Sequence, residues 1–227
     1  MRIRIVVASL ATVLSGVLAA PAAAGAVEPG PDQIIGGSTV ASAPWAAAVL
    51  SNGSFTCSGT IISANYVLTA RHCISGTMSV RVGSVSRTSG GVTRTVSSTV
   101  TRNDLALMRL SSAVSTSYMP LSSAYPPVGS TNSVYGWGQT CYSGCGASTT
   151  LKTATVRVTS TNVTDAYGGR AIGSTAINGN AWRGDSGGPQ VYNGAQVGVA
   201  STADGQSRQY YGSVAVNRAW ITSVAGV

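Results

Sequence analysis

The segment with the greatest potential for chemistry is RGDSGGP, at residues 183–189. Small residues flank Ser186, so its hydroxyl group can be exposed at a tight turn, and Gly184 lets a reacting group approach the backbone N–H groups. An ordinary surface turn is the alternative, because Gly, Asp, Ser and Pro dominate turns. The segment as a whole is more specific than such a turn, and it predicts a nucleophilic serine at position 186.

A nucleophilic serine requires a general base and an acid that orients this base. His72 is the only histidine of the chain, although a lone histidine is usually a structural residue. Asp104 begins the apolar segment 105–110, where a carboxylate is costly to bury alone; a turn at a strand edge is its alternative. The residues around His72 and Asp104, described below, favour the catalytic interpretation of both.

The composition favours short strands and turns over long helices. Only 9% of the 227 residues are charged and 28 are glycine. Ser, Thr, Val and Ala are abundant, whereas long helices favour Glu, Lys, Leu and Gln. Residues 79–82, 92–100 and 151–158 alternate between apolar or β-branched and polar side chains, which predicts half-buried strands.

Turn and cap signals divide the chain further. Asn52-Gly53 is a hairpin-turn signal, and residues 120–127, PLSSAYPP, indicate a linker between two halves. Near the end, residues 210–216 predict a strand. Asn217 is then the candidate N-cap of a closing helix at residues 218–224.

The N-terminal residues have the plan of a secretory signal peptide. Two arginines precede an apolar run at residues 5–20, and small residues follow it, so that cleavage after Ala24 or after Ala26 satisfies a small-x-small rule. We therefore predict a signal peptide at residues 1–26, a removable pro-segment at 27–33 and an extracellular, secreted protein. A membrane anchor would need a longer apolar run, and none is expected.

The chain is basic, with a formal net charge of +8. Removal of residues 1–33 takes away two arginines and two acidic residues, so the net charge stays the same. The remaining chain contains no glutamate and one lysine, Lys152. Basic proteins often bind nucleic acids, but these arginines are scattered without a cluster, so no specific nucleic-acid partner is predicted.

Four cysteines remain after residue 33: Cys57, Cys73, Cys141 and Cys145. In an exported protein an even number favours two disulfides, and four cysteines allow three connectivities. The C-x3-C spacing of Cys141 and Cys145 is compatible with a metal site. The sequence has no second ligand pair and no histidine beyond His72, which favours a small local disulfide instead.

Four segments together resemble the chymotrypsin-like, trypsin-fold secreted serine proteases of bacterial type. They are Ile34-Ile35-Gly36-Gly37, Thr69-Ala70-x-His72-Cys73 preceded by Cys57-Ser58-Gly59, N-D-x-A-L-x-x-L from Asn103, and G-D-S-G-G-P at 184–189. The resemblance covers residues 34–227. It implies an all-β fold class with two antiparallel β-barrels packed around a catalytic cleft and a short C-terminal helix. Residues 34–125 would form the first barrel and 126–227 the second.

The resemblance also implies a catalytic role for three residues. His72 would be the general base, Asp104 the acid that holds it, and Ser186 the nucleophile of a triad. The backbone amides of Gly184 and Ser186 would form the oxyanion hole. The disulfides would be Cys57–Cys73, which closes the segment around His72, and Cys141–Cys145. The other disulfides of the family, around the nucleophile and the pocket, are missing, so we expect the pocket walls to be looser or packed differently.

The start of the mature chain would act as a switch. Cleavage after Gln33 would free an α-amino group on Ile34, and this cation would pair with the buried Asp185 carboxylate. The pair would order the loop that holds the Gly184 and Ser186 amides, so the uncut precursor would be an inactive zymogen. Glutamine at the cut makes trypsin itself an unlikely match, and the sequence does not identify the activating protease.

The substrate pocket departs from that of family members that cut after Arg or Lys. Asn180 replaces the aspartate of those members, so small, apolar or neutral substrate side chains are expected. Ser201, Thr202 and Ala203 would form one wall, and Arg183 would stand at the entrance. The glutamates that hold calcium in some relatives have no counterpart, so no metal and no cofactor are expected.

These inferences predict a secreted, monomeric serine endopeptidase that acts on protein or peptide substrates through an acyl-enzyme. A protease-like binding protein without catalysis is one alternative, although such proteins usually lose a triad member. A secreted esterase with the same triad is another, because acyl-enzyme chemistry also serves esters. A basic adhesive or nucleic-acid-binding protein is a third alternative, and only the net positive charge favours it.

Overall fold

The computed structural model describes residues 34–227, and the predicted signal peptide (1–26) and pro-segment (27–33) lie outside the described residues. Within this range, thirteen strands and one α-helix build two antiparallel barrels. No helix in this range is long and apolar enough to span a membrane. The predicted fold class, two antiparallel barrels with a short C-terminal helix, is confirmed.

The first barrel is closed by six strands. They are β2 (Ala46–Ser51), β3 (Ser54–Ser63), β4 (Tyr66–Ala70), β5 (Met78–Val82), β6 (Val92–Arg102) and β7 (Leu105–Leu110). Their order is β2-β3-β4-β7-β6-β5, and β5 pairs back onto β2. Closure removes the free edges that an open sheet would expose.

The second barrel has the same number of strands. They are β8 (Thr131–Gly136), β9 (Lys152–Thr164), β10 (Arg170–Ala176), β11 (Pro189–Tyr192), β12 (Ala195–Ala203) and β13 (Arg208–Ser213). Their order is β9-β10-β13-β12-β11-β8, and pairing of β8 with β9 closes the barrel. The short strand β1 (Ser38–Thr39) is added to the outside of β9.

Side-chain alternation accounts for the cores of both barrels. In β5, Met78, Val80 and Val82 are buried while the residues between them are partly exposed. In β9 the even-numbered residues from 152 to 158 are buried. The strand β6 differs from the half-buried prediction: most of it is exposed, because its Ser, Thr and Arg side chains face solvent.

The predicted hairpin turn joins β2 to β3. Asn52 and Gly53 both have positive φ angles, 49° and 79°, as a type I′ turn requires. Asn52 also accepts a hydrogen bond from the Thr77 amide at its Oδ1. The turn therefore fixes the register of the strand that leads to Cys57.

The C-terminal helix starts earlier than predicted. Helix α1 spans Val214–Ala225, and its N-cap is Ser213, whose side chain accepts a hydrogen bond from the Val216 amide at 3.3 Å. Asn217, the predicted cap, is buried inside the helix and donates from Nδ2 to the Ser213 carbonyl. The preceding strand ends at Ser213 and not at residue 216 as predicted, because Ser213, and not Asn217, caps the helix.

The two ends of the chain each cross to the other barrel. Strand β1 pairs with β9 of the second barrel. At the other end, Val214 and Ile221 of α1 pack into the same apolar cluster as the core of the first barrel. The predicted division at residue 125 therefore does not describe the two ends of the chain.

We expect Ser213→Ala to lower the free energy of unfolding by about 1 kcal/mol, because the first turn of α1 loses its side-chain acceptor. Urea denaturation of the purified protein measures this change. Ser223→Ala is the matched control, since Ser223 lies near the end of the same helix and its hydroxyl donates to the Trp220 carbonyl. Equal destabilisation by both substitutions would contradict the assignment of Ser213 as the cap.

Candidate active site

The pairing of two strands brings His72 next to Asp104. Ala70, the last residue of β4, lies opposite Leu105, the first residue of β7. His72 follows β4 in a 3-10 turn at Arg71–Cys73, and Asp104 immediately precedes β7. Sequence-distant segments thereby meet at one end of the first barrel.

The contact between these residues orients the imidazole. His72 Nδ1 lies 2.9 Å from Asp104 Oδ2 and 3.0 Å from Oδ1, and the His72 backbone amide donates to Oδ1 at 3.1 Å. A carboxylate accepts only, so Nδ1 carries the proton in this pair. The tautomer leaves the lone pair of Nε2 available for a proton from another group.

Asp104 is held from both barrels. Its side chain has no exposed surface, whereas that of His72 is 31% exposed. The Ser201 hydroxyl, from β12, donates to Asp104 Oδ2 at 2.5 Å. Burial of a carboxylate is costly unless hydrogen bonds satisfy it, and here donors from the His72 segment and from Ser201 do so.

Both predicted disulfides are present, Cys57–Cys73 and Cys141–Cys145. The first ties β3 to the turn that carries His72; a loop of this length stabilises the chain by about 3 kcal/mol in the chain-entropy account. Cys57, His72 and Cys73 also lie close enough together to suggest a metal site. The two sulfurs are bonded to each other, so no thiolate is available there for a metal.

Ser186 lies where the barrels meet. Ser58, which follows Cys57 in β3, donates from its amide to the Ser186 carbonyl at 2.8 Å and from its hydroxyl to the Gly184 carbonyl at 2.9 Å. The neighbouring Gly187 has a φ of +79°, and a Cβ there would lie 2.4 Å from the Ser58 carbonyl oxygen. The nucleophile segment is thus anchored beside the disulfide that fixes the His72 turn.

Gly184 requires a glycine for two reasons. Its φ is +97°, and a Cβ on it would lie 3.0 Å from the Cα atom of Gly138. A side chain would therefore be strained and crowded. The backbone of the predicted oxyanion segment packs directly against the second barrel.

Asp185 is a second buried carboxylate. Its Oδ1 accepts from the Gly138 amide at 2.7 Å, and its Oδ2 accepts from the Trp182 amide at 2.9 Å. Burial raises the pKa of Asp185 to about 7, although both hydrogen bonds lower it. Gly136 and Gly138 make room for this carboxylate, since a Cβ on either would lie within 2.3 Å of its oxygens.

The start of the described chain packs into the second barrel. The Ile34 side chain is buried in an apolar cluster of the second barrel that contains Tyr211. The pKa of the Tyr211 hydroxyl is raised by burial and by the charge of Asp185. Ile35 accepts a hydrogen bond at its carbonyl from the Asn180 amide at 2.8 Å. The first two described residues therefore contact the core of the second barrel and the backbone of Asn180.

A pocket of about 300 Å³ opens beside Ser186. Its walls combine small and aromatic residues: Ala181, Trp182, Arg183, Ser186, Ala200, Ser201, Thr202, Ala203 and Tyr211. The predicted pocket residues Arg183, Ser201, Thr202 and Ala203 are among them. Asn180 is not; it is buried behind Ala181 and donates from Nδ2 to the Ala181 carbonyl.

Neutral amides form the layer below the pocket. Gln209 Nε2 donates to Asn180 Oδ1 at 2.9 Å, and the Tyr211 hydroxyl donates to Gln209 Oε1 at 3.1 Å. No carboxylate lies among the lining residues. The sequence analysis did not identify Gln209, because Gln209 reaches this layer only through the register in which β13 pairs with β12, opposite Ala203.

An aromatic stack supports one wall of the pocket. Trp182 stacks on Tyr142 with ring centroids 5.0 Å apart, and its Nε1 donates to the Tyr142 carbonyl at 3.1 Å. Tyr142 belongs to the small loop closed by the Cys141–Cys145 disulfide. On the other face, a Cβ on Gly205 would lie 2.7 Å from the Trp182 ring. Tyr142 and Gly205 therefore both contact the Trp182 side of the pocket.

Comparisons with known proteins agree with this geometry. The family model described as Trypsin matches residues 34–221. Trypsin alpha of Drosophila melanogaster is 35% identical, with 85% of this chain and 88% of the relative covered; trypsin alpha-4 of Lucilia cuprina is 31% identical over the same shares. These relatives are insect proteins, which gives no support to the predicted bacterial type.

Solved structures have the same fold. Human heparin binding protein has a TM-score of 0.74 and 25% identity, with 85% of this chain and 96% of the other covered. Neuropsin, a serine protease of mouse brain, has a TM-score of 0.71 and 25% identity, with 80% and 94% covered. With the matched family model and the insect relatives, these likenesses show that the chain belongs to the trypsin family and is a serine endopeptidase.

Proposed function

We propose that this protein is secreted as an inactive precursor and, once cut before Ile34, hydrolyses peptide bonds through a triad of His72, Asp104 and Ser186. The observation that carries the proposal is the buried Asp104 carboxylate, 2.9 Å from His72 Nδ1. A carboxylate in this position has a clear use in orienting a base. The anchoring of Ser186 by Ser58, beside the Cys57–Cys73 disulfide, supports the third role.

The proposed roles define a reaction in two stages. Ser186 Oγ attacks the carbonyl carbon of the substrate while His72 Nε2 takes the hydroxyl proton, and Asp104 stabilises the imidazolium. His72 then protonates the leaving amine, the C–N bond breaks and an acyl-enzyme remains. Water attacks the ester, again giving its proton to His72, and the proton returns to Ser186 Oγ as the acid product leaves.

The amides of Gly184 and Ser186 are the proposed oxyanion hole. They would donate to the oxygen that becomes negative in the tetrahedral intermediate, where one such donor contributes roughly 3–4 kcal/mol. Two observations support this role. The positive φ of Gly184 and the bond from the Ser58 hydroxyl to its carbonyl fix the orientation of this peptide segment.

Activation would come from a new charge at Ile34. The Asp185 carboxylate receives hydrogen bonds from two neutral amides, and burial raises its pKa to about 7. An ammonium group freed by cleavage before Ile34 would stabilise the ionised form and hold the loop that carries Gly184 and Ser186. The buried Ile34 side chain supports this, because it already packs in the cluster that contains Tyr211.

Secretion and partners follow from the N-terminal plan and the family. The signal-peptide pattern at residues 1–26 favours export, where the two disulfides are stable. Family members act on proteins, so protein or peptide substrates and an activating protease are the proposed partners. We infer a monomer with no membrane anchor.

Specificity would be for small, apolar or neutral side chains. The lining of the pocket contains alanines and aromatic rings, and the amides of Asn180 and Gln209 below it are paired with each other. A substrate arginine or lysine would bury its charge without a counter-ion. Arg183 lies at the edge, exposed, with its guanidinium 5.6 Å from the Trp182 ring.

Ser186→Ala should lower endopeptidase turnover by a factor on the order of 10⁵–10⁶, because the nucleophile is lost. A digest of a peptide library by the full chain, cut before Ile34, measures the activity and reveals the side-chain preference. Ser223→Ala is the control. Cleavage by the Ser186→Ala protein would contradict the triad, and absence of cleavage by a folded wild-type protein would favour the esterase or the binding protein.

Stability of the uncut chain should fall as pH rises from 3.8 towards 7, the range between the ordinary and the folded pKa of Asp185. A raised carboxyl pKa means that the folded state holds more protons than the unfolded state in this range, so each rise in pH disfavours folding. Urea midpoints of Ser186→Ala and Ser186→Ala/Asp185→Asn proteins measure it.

The Asp185→Asn variant lacks the titrating group. Its urea midpoint, relative to that of the parent, should therefore rise with pH. Cleavage before Ile34 should make this difference between the midpoints depend less on pH, because the new ammonium group would lower the pKa of Asp185. Parallel midpoint curves for the two uncut proteins would contradict the burial of an uncompensated carboxylate.

Asn180→Asp should raise the ratio of kcat/KM for an arginine substrate to that for an alanine substrate by at least about tenfold. The new carboxylate would supply a counter-charge behind Ala181. Asn178→Asp is the matched control, since its side chain is outside the pocket and accepts from the Thr155 amide. An equal ratio in both variants would contradict the placement of Asn180 directly below the pocket.

A further inference from the structure

A buried aspartate of the second barrel contacts the backbone of Asp104. Asp165 is 6% exposed and lies at the start of the loop between β9 and β10. Its Oδ2 accepts from the Asp104 amide at 3.2 Å, and its Oδ1 accepts from the Tyr167 and Gly169 amides at 2.9 and 2.8 Å. One carboxylate thereby joins its own loop to the residue that orients His72.

The same loop contacts the second partner of Asp104. The Ala166 amide donates to Ser201 Oγ at 3.0 Å, and this hydroxyl donates its proton to Asp104 Oδ2. With its acceptor side occupied by Ala166, the Ser201 hydroxyl is directed at the carboxylate. The loop therefore fixes both the backbone and a side-chain donor of Asp104.

A third contact reaches the residue before His72. The Arg71 guanidinium lies 4.3 Å from the centroid of the Tyr167 ring, within the range of a cation–π interaction. The Arg71 amide donates to the Asp104 carbonyl at 3.0 Å. The loop thus touches the His72 segment and the Asp104 segment at once.

Two glycines allow the close approach. A Cβ on Gly169 would lie 2.4 Å from Asn103 Cβ and 2.5 Å from Asp165 Oδ2. A Cβ on Gly212 would lie 2.6 Å from Leu105 Cδ1 and 3.4 Å from Asp165 Oδ2. The loop and the start of β7 are in contact without room for larger residues.

We propose that residues 165–169 form a clasp between the barrels and that Asp165 is a positioning residue for the His72–Asp104 pair. Asp165 does not touch substrate; it acts through the Asp104 amide. A second buried carboxylate beside Asp104 adds a negative charge to a site that already holds one, and Arg71 is the neighbouring group of opposite sign. The amide donors of Asp104, Tyr167 and Gly169 offset part of this cost. The bond to the Asp104 amide also fixes a geometry that catalysis needs within a fraction of an ångström.

The chemistry of the clasp explains the choice of Asp over Asn. Both oxygens of Asp165 accept hydrogen bonds, one on the side of Asp104 and one on the side of its own loop. An amide has one oxygen and one NH₂ group, so it would set a donor against an N–H on one of the two sides. The inference rests on the proposed triad, because it assigns Asp165 a role in orienting the base.

The test compares two disruptive variants with two matched controls, all in the full chain with a specific cleavage sequence introduced before Ile34. Asp165→Asn replaces one of the two acceptor oxygens by a donor NH₂ group, and Gly169→Ala keeps the charge but displaces the carboxylate. Asp204→Asn is the first control, because Asp204 Oδ1 also accepts from amides of its own loop. Gly146→Ala is the second, since a Cβ there meets nothing within 4 Å.

Two readouts separate positioning from stability. The first is kcat and KM on a peptide found by library digestion. The second is the ¹H signal of the His72 Nδ1–H, which needs no assignment because the chain has one histidine. We expect Asp165→Asn and Gly169→Ala to lower kcat about tenfold or more with KM changed less than twofold. Both should also shift or broaden the Nδ1–H signal, while the controls keep wild-type values.

Wild-type kcat and an unchanged Nδ1–H signal in the folded Asp165→Asn and Gly169→Ala proteins would overturn the clasp. If neither variant folds, Tyr167→Leu is the replacement test variant. The Tyr167 side chain is about half exposed, and its loss leaves the hydrogen bonds of Asp165 in place. This variant should lower kcat severalfold, and wild-type kcat would overturn the proposal. An inactive wild-type enzyme would refute the proposed function, and the Nδ1–H signal would still decide the clasp.

Discussion

The burial of the Asp104 carboxylate is the constraint on which the cleft depends. Its side chain has no contact with solvent, so donors must surround it, and neither barrel supplies them all. His72 provides its ring and amide from the first barrel, and Ser201 provides a hydroxyl from the second. Separation of the barrels would remove the Ser201 donor and leave the carboxylate held by the His72 segment alone. The docking of the barrels and the orientation of the base are therefore one requirement.

Most carboxylates of the described chain are buried and not at its surface. Residues 34–227 contain four aspartates and no glutamate, and Asp104, Asp165 and Asp185 are buried. Asp204 alone among these four is partly exposed, paired with Arg208 at 3.9 Å. The net positive charge follows from composition, since the 12 arginine and lysine residues of this range outnumber its four aspartates. The charge needs no nucleic-acid partner to explain it.

The sequence predicted what local motifs encode and missed what strand register decides. His72, Asp104 and Ser186 each stand in a segment whose neighbours constrain them, so short patterns were enough to select them. Asp165 and Gln209 lie in ordinary polar loops and strands, and their contacts exist only because β9, β12 and β13 take a particular register. The helix start was misplaced for a similar reason: Ser213 and Asn217 are both good caps, and the end of β13 decides between them.

The Asp185 carboxylate links catalysis to specificity through one pair of hydrogen bonds. Its Oδ2 accepts a hydrogen bond from the Trp182 amide, and Trp182 forms the stacked wall of the pocket. In the sequence, Asp185 lies between Gly184 and Ser186. A charge that fixes this carboxylate would fix the pocket wall and the proposed oxyanion amides in the same step. The Tyr142 ring and Gly205 confine Trp182. The wall therefore depends on noncovalent packing, so its order is coupled directly to the state of Asp185.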